Sequence, residues 1–534
     1  MVGNLRSYGR FTLGLRKFLH ETLTAEQAHA IVRQRLEERE RNFLRLVERG
    51  IYGYSRSPYL PLLRLAGCEQ GDLAQMVRTR GLDATLRALR EAGVSVSFEE
   101  FKGLRPICRG GRTIRVRPRD FDNPYLSAAY RGATSGTTGA GSRVVIDLEH
   151  LAAVAPLWYL GREAHGLVGV PTGLWRSILP GVSGVNNVLR DARIGCVPLR
   201  WFSPVSPGAL RPSLTCRVAT EYLVRAGRAF GVPIPRPEPV PLDRARVVAE
   251  WAARVRDECG ACLLRTFVSP ALRVSLAAQE AGIDLTGVTF MGGGEVPTPV
   301  KVQGIRRSGA RWIPTYAFAE AGPVGVGCAQ PVDGNDIHLH EDALALVQHA
   351  RAAVDATEGP VDAFYFTTLL PSAPKILLNV ESDDGGLVEA RRCGCPLETY
   401  FPRHLRNIRS EKKLTSEGAT VPAGEMVRIL EEVLPARFGG SALDYQLVEH
   451  EDAAGFSRLI LRVSPRVTIA EVARVRGAVL DELRRRSPSA DLARATWAQA
   501  DTLTVQRTEP LWTATGKLPP LCRSPHPRAA VSEP

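Results

Sequence analysis

The chain has 534 residues, 44% hydrophobic and 23% charged, so there is apolar material for large cores and length for roughly two to four domains. Its net charge of +13 comes from seven lysines and 62 arginines scattered among acids without a long basic run, which argues against a nucleic-acid-binding stripe. No apolar run approaches the ~18 residues that span a bilayer, and ten cysteines in so long a chain do not make a disulfide framework, so a cytoplasmic protein with reduced thiols is expected.

The first twenty residues are basic and free of acids but lack the continuous apolar stretch of a secretory signal, and they read as an ordinary N-terminal segment. Thr24 with Gln27 forms a capping box that opens a long amphipathic helix from Ala25 to about Glu48. Two shorter helices are predicted between Asp72 and Gly93. From about Phe121 to Phe401, short apolar strands alternate with helical stretches and Gly/Pro turns, which predicts a large α/β body. Candidate strands are Leu174–Leu179, Val288–Met291, Ala363–Thr368 and Ile376–Val380. The last stretch changes character. A helix near Glu425–Leu434 precedes strands at Tyr445–Val448 and Leu459–Val463, joined by the turn Asp452–Gly455. Thr468 and Glu471 form a second capping box for a helix running to about Arg486, and a strand follows near Thr502–Val505. The predicted organisation is a helical region over 1–120, an α/β body over 121–410, a small α+β lid over 411–522 and a Pro-rich tail from 523. There is no internal repeat.

The stretch from Tyr130 to Arg143 packs glycines, serines and threonines between apolar flanks. Glycine lets the backbone approach an anion closely, exposed N–H groups cradle phosphate oxygens, and hydroxyls add donors. A plain surface loop has the same composition. A Walker loop is excluded, because no Gly-Lys-Ser/Thr follows.

The string Thr134-Ser135-Gly136-Thr137-Thr138-Gly139 resembles the phosphate-loop signature of the adenylate-forming superfamily, which includes acyl-CoA synthetases, peptide-synthetase adenylation domains and luciferases. The usual Pro-Lys-Gly continuation is Gly141-Ser142-Arg143 here, which makes Arg143 the candidate to replace the loop lysine. Further segments resemble the family in order. Gly292-Gly293-Gly294-Glu295 is similar to the segment lining the adenine pocket. Tyr316 to Gly322 is similar to the Tyr-Gly-x-Thr-Glu segment, in which Tyr316 would pack on adenine and Glu320 would help hold magnesium, with Ala319 in place of the threonine. Glu381 to Gly386 stands where the family has Thr-Gly-Asp. Asp384, favoured over Asp383, would grip the ribose hydroxyls. Arg409 matches the arginine of the next motif and would contact the nucleotide. The hinge would fall at Glu411 or Lys412. Thr513 to Leu518 resembles the C-terminal Thr-x-x-Gly-Lys motif, and its Lys517 is one of only seven lysines.

This resemblance covers most of residues 120–520 and implies ATP-dependent activation of a small-molecule carboxylic acid. Ser135, Gly136, Thr137, Thr138 and Gly139 would hold phosphates, Thr138, Glu320 and Lys517 would take part in catalysis, and coenzyme A or a carrier protein would accept the acyl group. An amine acceptor and a non-catalytic nucleotide-binding relative remain open. Within the superfamily, Cys393-Gly-Cys395 and Ser57-Pro-Tyr59 resemble the phenylacetate-CoA ligase group. Some members carry zinc, which implies Cys328, His338, Cys393 and Cys395 as tetrahedral structural ligands, with His340 as the alternate. Cys259-x-x-Cys262 is a competing pair on a helical pattern and reads as buried thiols. Trp158, Tyr159 and Trp175 precede the Leu179–Val185 stretch, which would run along the acyl side. Core packing accounts for these aromatics equally well.

Overall fold

The computed structural model describes residues 14–126, 130–133, 143–146, 148–179, 181–205, 214–351, 361–410, 413–486, 488–512 and 518–523. At its centre is a twelve-stranded sheet with two halves of different construction. Pro237–Pro239, Arg200–Ser203, Thr172–Trp175, Cys262–Phe267, Val288–Gly293 and Arg311–Phe318 lie side by side in that order, all parallel. The helices Val182–Arg193, Leu214–Ala229, Ala245–Cys259, Val268–Glu280 and Pro299–Arg306 make the crossovers that parallel pairing requires. Beyond Arg311–Phe318 the sheet turns antiparallel, through Gly322–Gly327, Ile337–Leu339, Arg403–Ser410, Val380–Ala390, Val361–Thr368 and Leu344–Arg351.

The N-terminal helices pack on the antiparallel half. Thr24 and Gln27 form both hydrogen bonds of the capping box that starts Ala25–Glu37. The expected single helix to Glu48 is interrupted at Glu38, whose φ of −94° and ψ of 11° leave the helical basin before Arg39–Val47 resumes. The helices Gln70–Arg80 and Leu82–Glu91 stand where two were expected.

Two strand expectations need correction. The segment from Leu174 stops pairing at Trp175, and the chain then turns into the helix Val182–Arg193. The residues before Val380 are not strand, because Asn379 takes a positive φ of 47° and its side-chain amide donates to the Leu86 and Val94 carbonyls. Val380 opens the strand instead.

A second, four-stranded sheet near the C-terminus has its own apolar cluster, including Leu447, Leu461, Val479 and Trp497. Tyr445–Glu451 and Ser457–Val463 form its hairpin, and Leu503–Arg507 and Leu521–Arg523 flank it in parallel. The helix preceding Leu503–Arg507 runs from Pro488 to Gln499, and the one before it, Val472–Arg486, starts later than the Thr468–Glu471 box requires. Residues 465–470 complete the turn leaving the strand, where the Val467 amide donates to Ser464. Phe456, at the hairpin turn, is buried in the core of the parallel half.

Candidate functional site

In open parallel sheets, ligands bind beyond the carboxyl ends of the strands. A cavity of about 920 Å³ lies there, lined by residues following Thr172–Trp175, by Arg265 and Phe267 at the end of Cys262–Phe267, by residues from Gly292 onward and by residues of the antiparallel half. Glu449, His450, Glu451 and Arg523 of the four-stranded sheet also line it.

The Gly292–Glu295 segment is shaped by its neighbours. A Cβ on Gly292 would lie 1.8 Å from the Thr266 carbonyl oxygen, and one on Gly293 would lie 1.9 Å from that of Thr315. Only glycine lets this strand run so close to both flanking strands. Gly294 has a φ of 83°, and Glu295 turns back to accept from the Ser269 amide at 3.2 Å and from Lys301 at 3.4 Å.

Tyr316 and Asp384 meet across this cavity. The Tyr316 hydroxyl donates to Asp384 Oδ2 at 2.5 Å, and the Ser410 hydroxyl donates to Oδ1. Burial, then Asp384, pushes the Tyr316 phenol well up. Lys413 stands 3.6 Å from Asp384 and 3.9 Å from Asp383. Burial opposes the charge on Lys413, but Asp384 and Asp383 outweigh it and raise its pKa. Arg409 is exposed toward the cavity in register with Gly385, beside Asp384.

Glu320 is buried and accepts from Lys102 Nζ at 2.7 Å. Burial alone would raise its pKa, but Lys102 and then Lys375 hold it down at about 2. Lys102 follows the short helix Phe98–Phe101, well before the motifs, and sequence reasoning missed it. Its signal was rarity: three of seven lysines, Lys102, Lys375 and Lys413, interact electrostatically around this one carboxylate. Ser135, Gly136, Thr137, Thr138 and Gly139, the candidate hinge residues Glu411 and Lys412, and Lys517 lie outside the described residues. So does the Arg143 side chain.

The sulfur and histidine candidates converge in the antiparallel half. His338 donates from Nδ1 to the Phe401 carbonyl at 2.6 Å, so Nε2 is left to face Cys395 Sγ at 3.1 Å and Cys393 Sγ at 3.7 Å. Ligand atoms of Cys328, His338, Cys393 and His404 all lie within 4.8 Å of one another. The Cys395 thiol is pushed down, first by Cys328 and then, against burial, by His338. The Gln330 amide donates to Cys328 Sγ at 3.3 Å, and Glu398 accepts from the Cys393 and Gly394 amides. His404 completes that close set and Cys395 adjoins it through His338. Thiols and carbonyl-fixed imidazole thus converge in the donor chemistry that suits tetrahedral zinc, with Cys395 and His404 both in reach of the fourth position.

His404 was not anticipated. It pairs with His338 across the strands, and Asp336 accepts from its Nδ1 at 2.6 Å. The alternate ligand His340 points elsewhere, with Nδ1 3.4 Å from the Pro323 carbonyl oxygen. Cys259 and Cys262 do not form a buried pair. Cys259 is exposed where Gly260 ends the helix in a left-handed conformation, and Cys262 is buried on the next strand.

This parallel-to-antiparallel sheet, followed by a small α+β unit that reaches the same cavity, is the fold of the adenylate-forming ligases. Among solved structures, the chain is similar to a 2-hydroxyisobutyryl-CoA ligase in complex with 2-HIB-AMP and CoA, with a TM-score of 0.53 and 14% identity over 94% of this chain and 91% of that one. It also matches the amide bond synthetase McbA from Marinactinospora thermotolerans, with a TM-score of 0.44 and 13% identity over 96% and 98% of the two chains. At such identities the likeness is one of fold. No protein-family model matches the sequence, and neither does any curated protein.

Proposed function

We propose that this protein activates a carboxylic acid with ATP as an acyl-adenylate and then transfers the acyl group to coenzyme A. The observation that carries this reading is the convergence of Glu295, Tyr316, Glu320, Asp384 and Arg409 on one cavity at the carboxyl ends of the parallel strands. These are residues that the motif resemblance singled out independently. The ligase of similar fold was captured with an acyl-AMP and CoA, which supports the same pair of half-reactions here.

In the first half-reaction, a substrate carboxylate oxygen attacks the α-phosphorus and the bond to pyrophosphate breaks. Like charges meet in that step, so fixed positive potential and positioning are what the protein must supply. Asp384 takes the ribose hydroxyls, Tyr316 packs on adenine, and Arg409 and Lys413 contribute positive charge near the nucleotide. Lys102 engages one oxygen of Glu320 and leaves the other for a cation. Magnesium held by one carboxylate, phosphates and water asks no more of the protein. It would neutralise phosphate charge when bound. Thr137, Thr138 and Lys517 are assigned to the phosphates and the reacting carboxylate by motif resemblance. In the second half-reaction, the coenzyme A thiolate attacks the acyl carbonyl carbon and AMP leaves. Lys517 belongs to the C-terminal unit, so that unit, from about residue 411, moves between the two steps.

Cys328, His338, Cys393 and Cys395 are proposed to hold structural zinc, which would cross-link the antiparallel strands. The Cys393-Gly-Cys395 segment supports a likeness to phenylacetate-CoA ligases.

The test is carboxylate-dependent pyrophosphate release from MgATP over a panel of acids, with and without coenzyme A. Release that coenzyme A increases supports the ligase. Release indifferent to coenzyme A moves the acceptor to a carrier thiol or an amine. Absence of release with intact ATP binding removes the adenylation reading.

A further inference from the structure

One stretch of the cavity lining, in which Arg176 lies 3.3 Å from the Cβ position of Gly292, is unusual for a site that takes an acyl chain. Arg176, Arg190 and Arg265 all line it. Arg176 is 7% exposed and Arg265 is 3% exposed. Behind them, Arg162 is fully buried, and it shares a single carboxylate with Arg265. Asp191 Oδ1 lies 3.0 Å from Arg162 and 2.5 Å from Arg265. That one anion is already divided between two guanidiniums.

Arg176 has weaker compensation. One of its nitrogens donates to the Thr266 carbonyl, and its guanidinium lies 3.6 Å from the centre of the Phe267 ring. Among the described residues, its buried Nε finds no hydrogen-bond partner. The acid that acts on it, Glu295, is already engaged by Lys301 and Ser269. Burial, then Arg265 and Arg190, makes its charged form costly. A guanidinium does not shed its proton in response, so the cost remains until an anion meets it.

Trp158 completes the wall. Its ring centre lies 4.4 Å from the Arg190 guanidinium and 4.5 Å from that of Arg265, and among the described residues its buried indole N–H has no acceptor. Nearby, burial and then Arg190 push the His150 imidazole down to about 3, so it is neutral and neither adds to nor offsets the positive charge. Arg190 is half-buried and donates to Asn186 and Asn187, and Arg265 is met by Asp191. Among the described residues, the unmet donors here are therefore Arg176 Nε and the Trp158 N–H. A buried guanidinium with such donors beside it is a receptor for an anion rather than for hydrocarbon.

We infer that the acid activated here carries a second carboxylate, seated against Arg176 and the Arg190–Trp158–Arg265 cluster while its other carboxylate faces the nucleotide. This rests on the adenylation reading for which carboxylate reacts, but not for the anion pocket itself. A charge-assisted, multiply hydrogen-bonded partner offsets the exposed cost of Arg176 and gives the leftover N–H groups an acceptor. A simple aliphatic or aryl monocarboxylic acid would leave them buried and unmet.

The experiment is calorimetric binding to the full chain of straight-chain dicarboxylates from malonate to adipate, each beside the monocarboxylate of equal length, followed by pyrophosphate release with the same acids. We expect one dicarboxylate to bind at least about tenfold more tightly than its matched monocarboxylate, the scale of a charged hydrogen bond. Arg176→Met should abolish that advantage, Arg176→Lys should retain part of it, and Arg190→Gln, a change farther from the strands, should weaken it. Equal binding of the two series would overturn the inference, as would Arg176→Met weakening both alike or coenzyme A displacing the dicarboxylate competitively. Selective, Arg176-dependent binding without pyrophosphate release would uphold the pocket and remove the adenylation reading. Release with monocarboxylates and no dicarboxylate preference would do the reverse.

Discussion

Lys102 and Glu320 form an ion pair at 2.7 Å, with side chains only 3% and 9% exposed, between a short N-terminal helix and the turn joining two central strands. The pair ties the N-terminal region to the wall of the cavity. Removing only the lysine strands a carboxylate in a place where water reaches little of it. Lys102→Met is therefore expected to lower stability by about 3–5 kcal/mol, and the double variant Lys102→Met/Glu320→Gln should recover much of that loss. Urea unfolding of wild type, Lys102→Met, Glu320→Gln and the double variant measures the coupling, and a double variant no better than Lys102→Met would remove the pair from this role.

The same carboxylate sets an acid limit. Its pKa in the folded chain is about 2 against an ordinary 4.5, so the folded state binds this proton less readily than the unfolded state. The stabilisation is fully present above pH 4.5 and is lost as pH falls through that value toward about 2. The stability difference between wild type and Glu320→Gln should be flat at neutral pH and narrow as pH falls through that window. A difference that stays unchanged as pH falls toward about 2 would contradict the assignment.

Metal analysis of protein purified without chelator should find stoichiometric zinc. Cys395→Ser should lose most of it, because Cys395 lies directly against His338 Nε2. His340→Ala should keep it, since His340 faces the Pro323 carbonyl. Loss of metal in the His340 variant but not in the Cys395 variant would reverse the ligand assignment.

Gly418 marks where the hairpin Lys413–Ser416/Ala419–Pro422 meets the body. Its φ is 72°, and an added Cβ would lie 2.2 Å from the Phe267 ring, while Arg273 holds the adjacent Glu417 at 2.6 Å. Gly418→Ala must displace either the ring that lies over Arg176 or the hairpin itself. An expected loss of at least about 1 kcal/mol, from backbone strain before any clash, should appear with reduced pyrophosphate release. Unchanged thermal unfolding and activity would mean that the hairpin yields freely.

Local signals were read well from sequence where the cause is local. The Thr24–Gln27 capping box, the Asp452–Gly455 turn and the alternating strands around it all form as expected, because their hydrogen bonds close within a few residues. The glycine and acid segments of the cavity were legible through motif order. What the sequence hid was action at a distance. Asn379 breaks a β-like apolar run to bond carbonyls nearly three hundred residues earlier in the chain. Lys102 and His404 gain their significance only from partners on other elements. Arg176 and Arg265 were invisible among 62 arginines, since burial rather than residue type sets them apart.

The strand Arg403–Ser410 carries His404 near one end and Arg409 near the other, and its partner holds Asp384 opposite Ser410. A slip of one residue in such a pairing would exchange the faces of every side chain on the strand. His404 lies against the sulfur–imidazole cluster at one end of the strand, and between there and Asp384 the pairing shifts by one residue at Gly385–Leu387. The register at the cluster therefore does not carry through to the cavity, and the irregularity at Gly385–Leu387 is what brings Ser410 beside the aspartate at the far end.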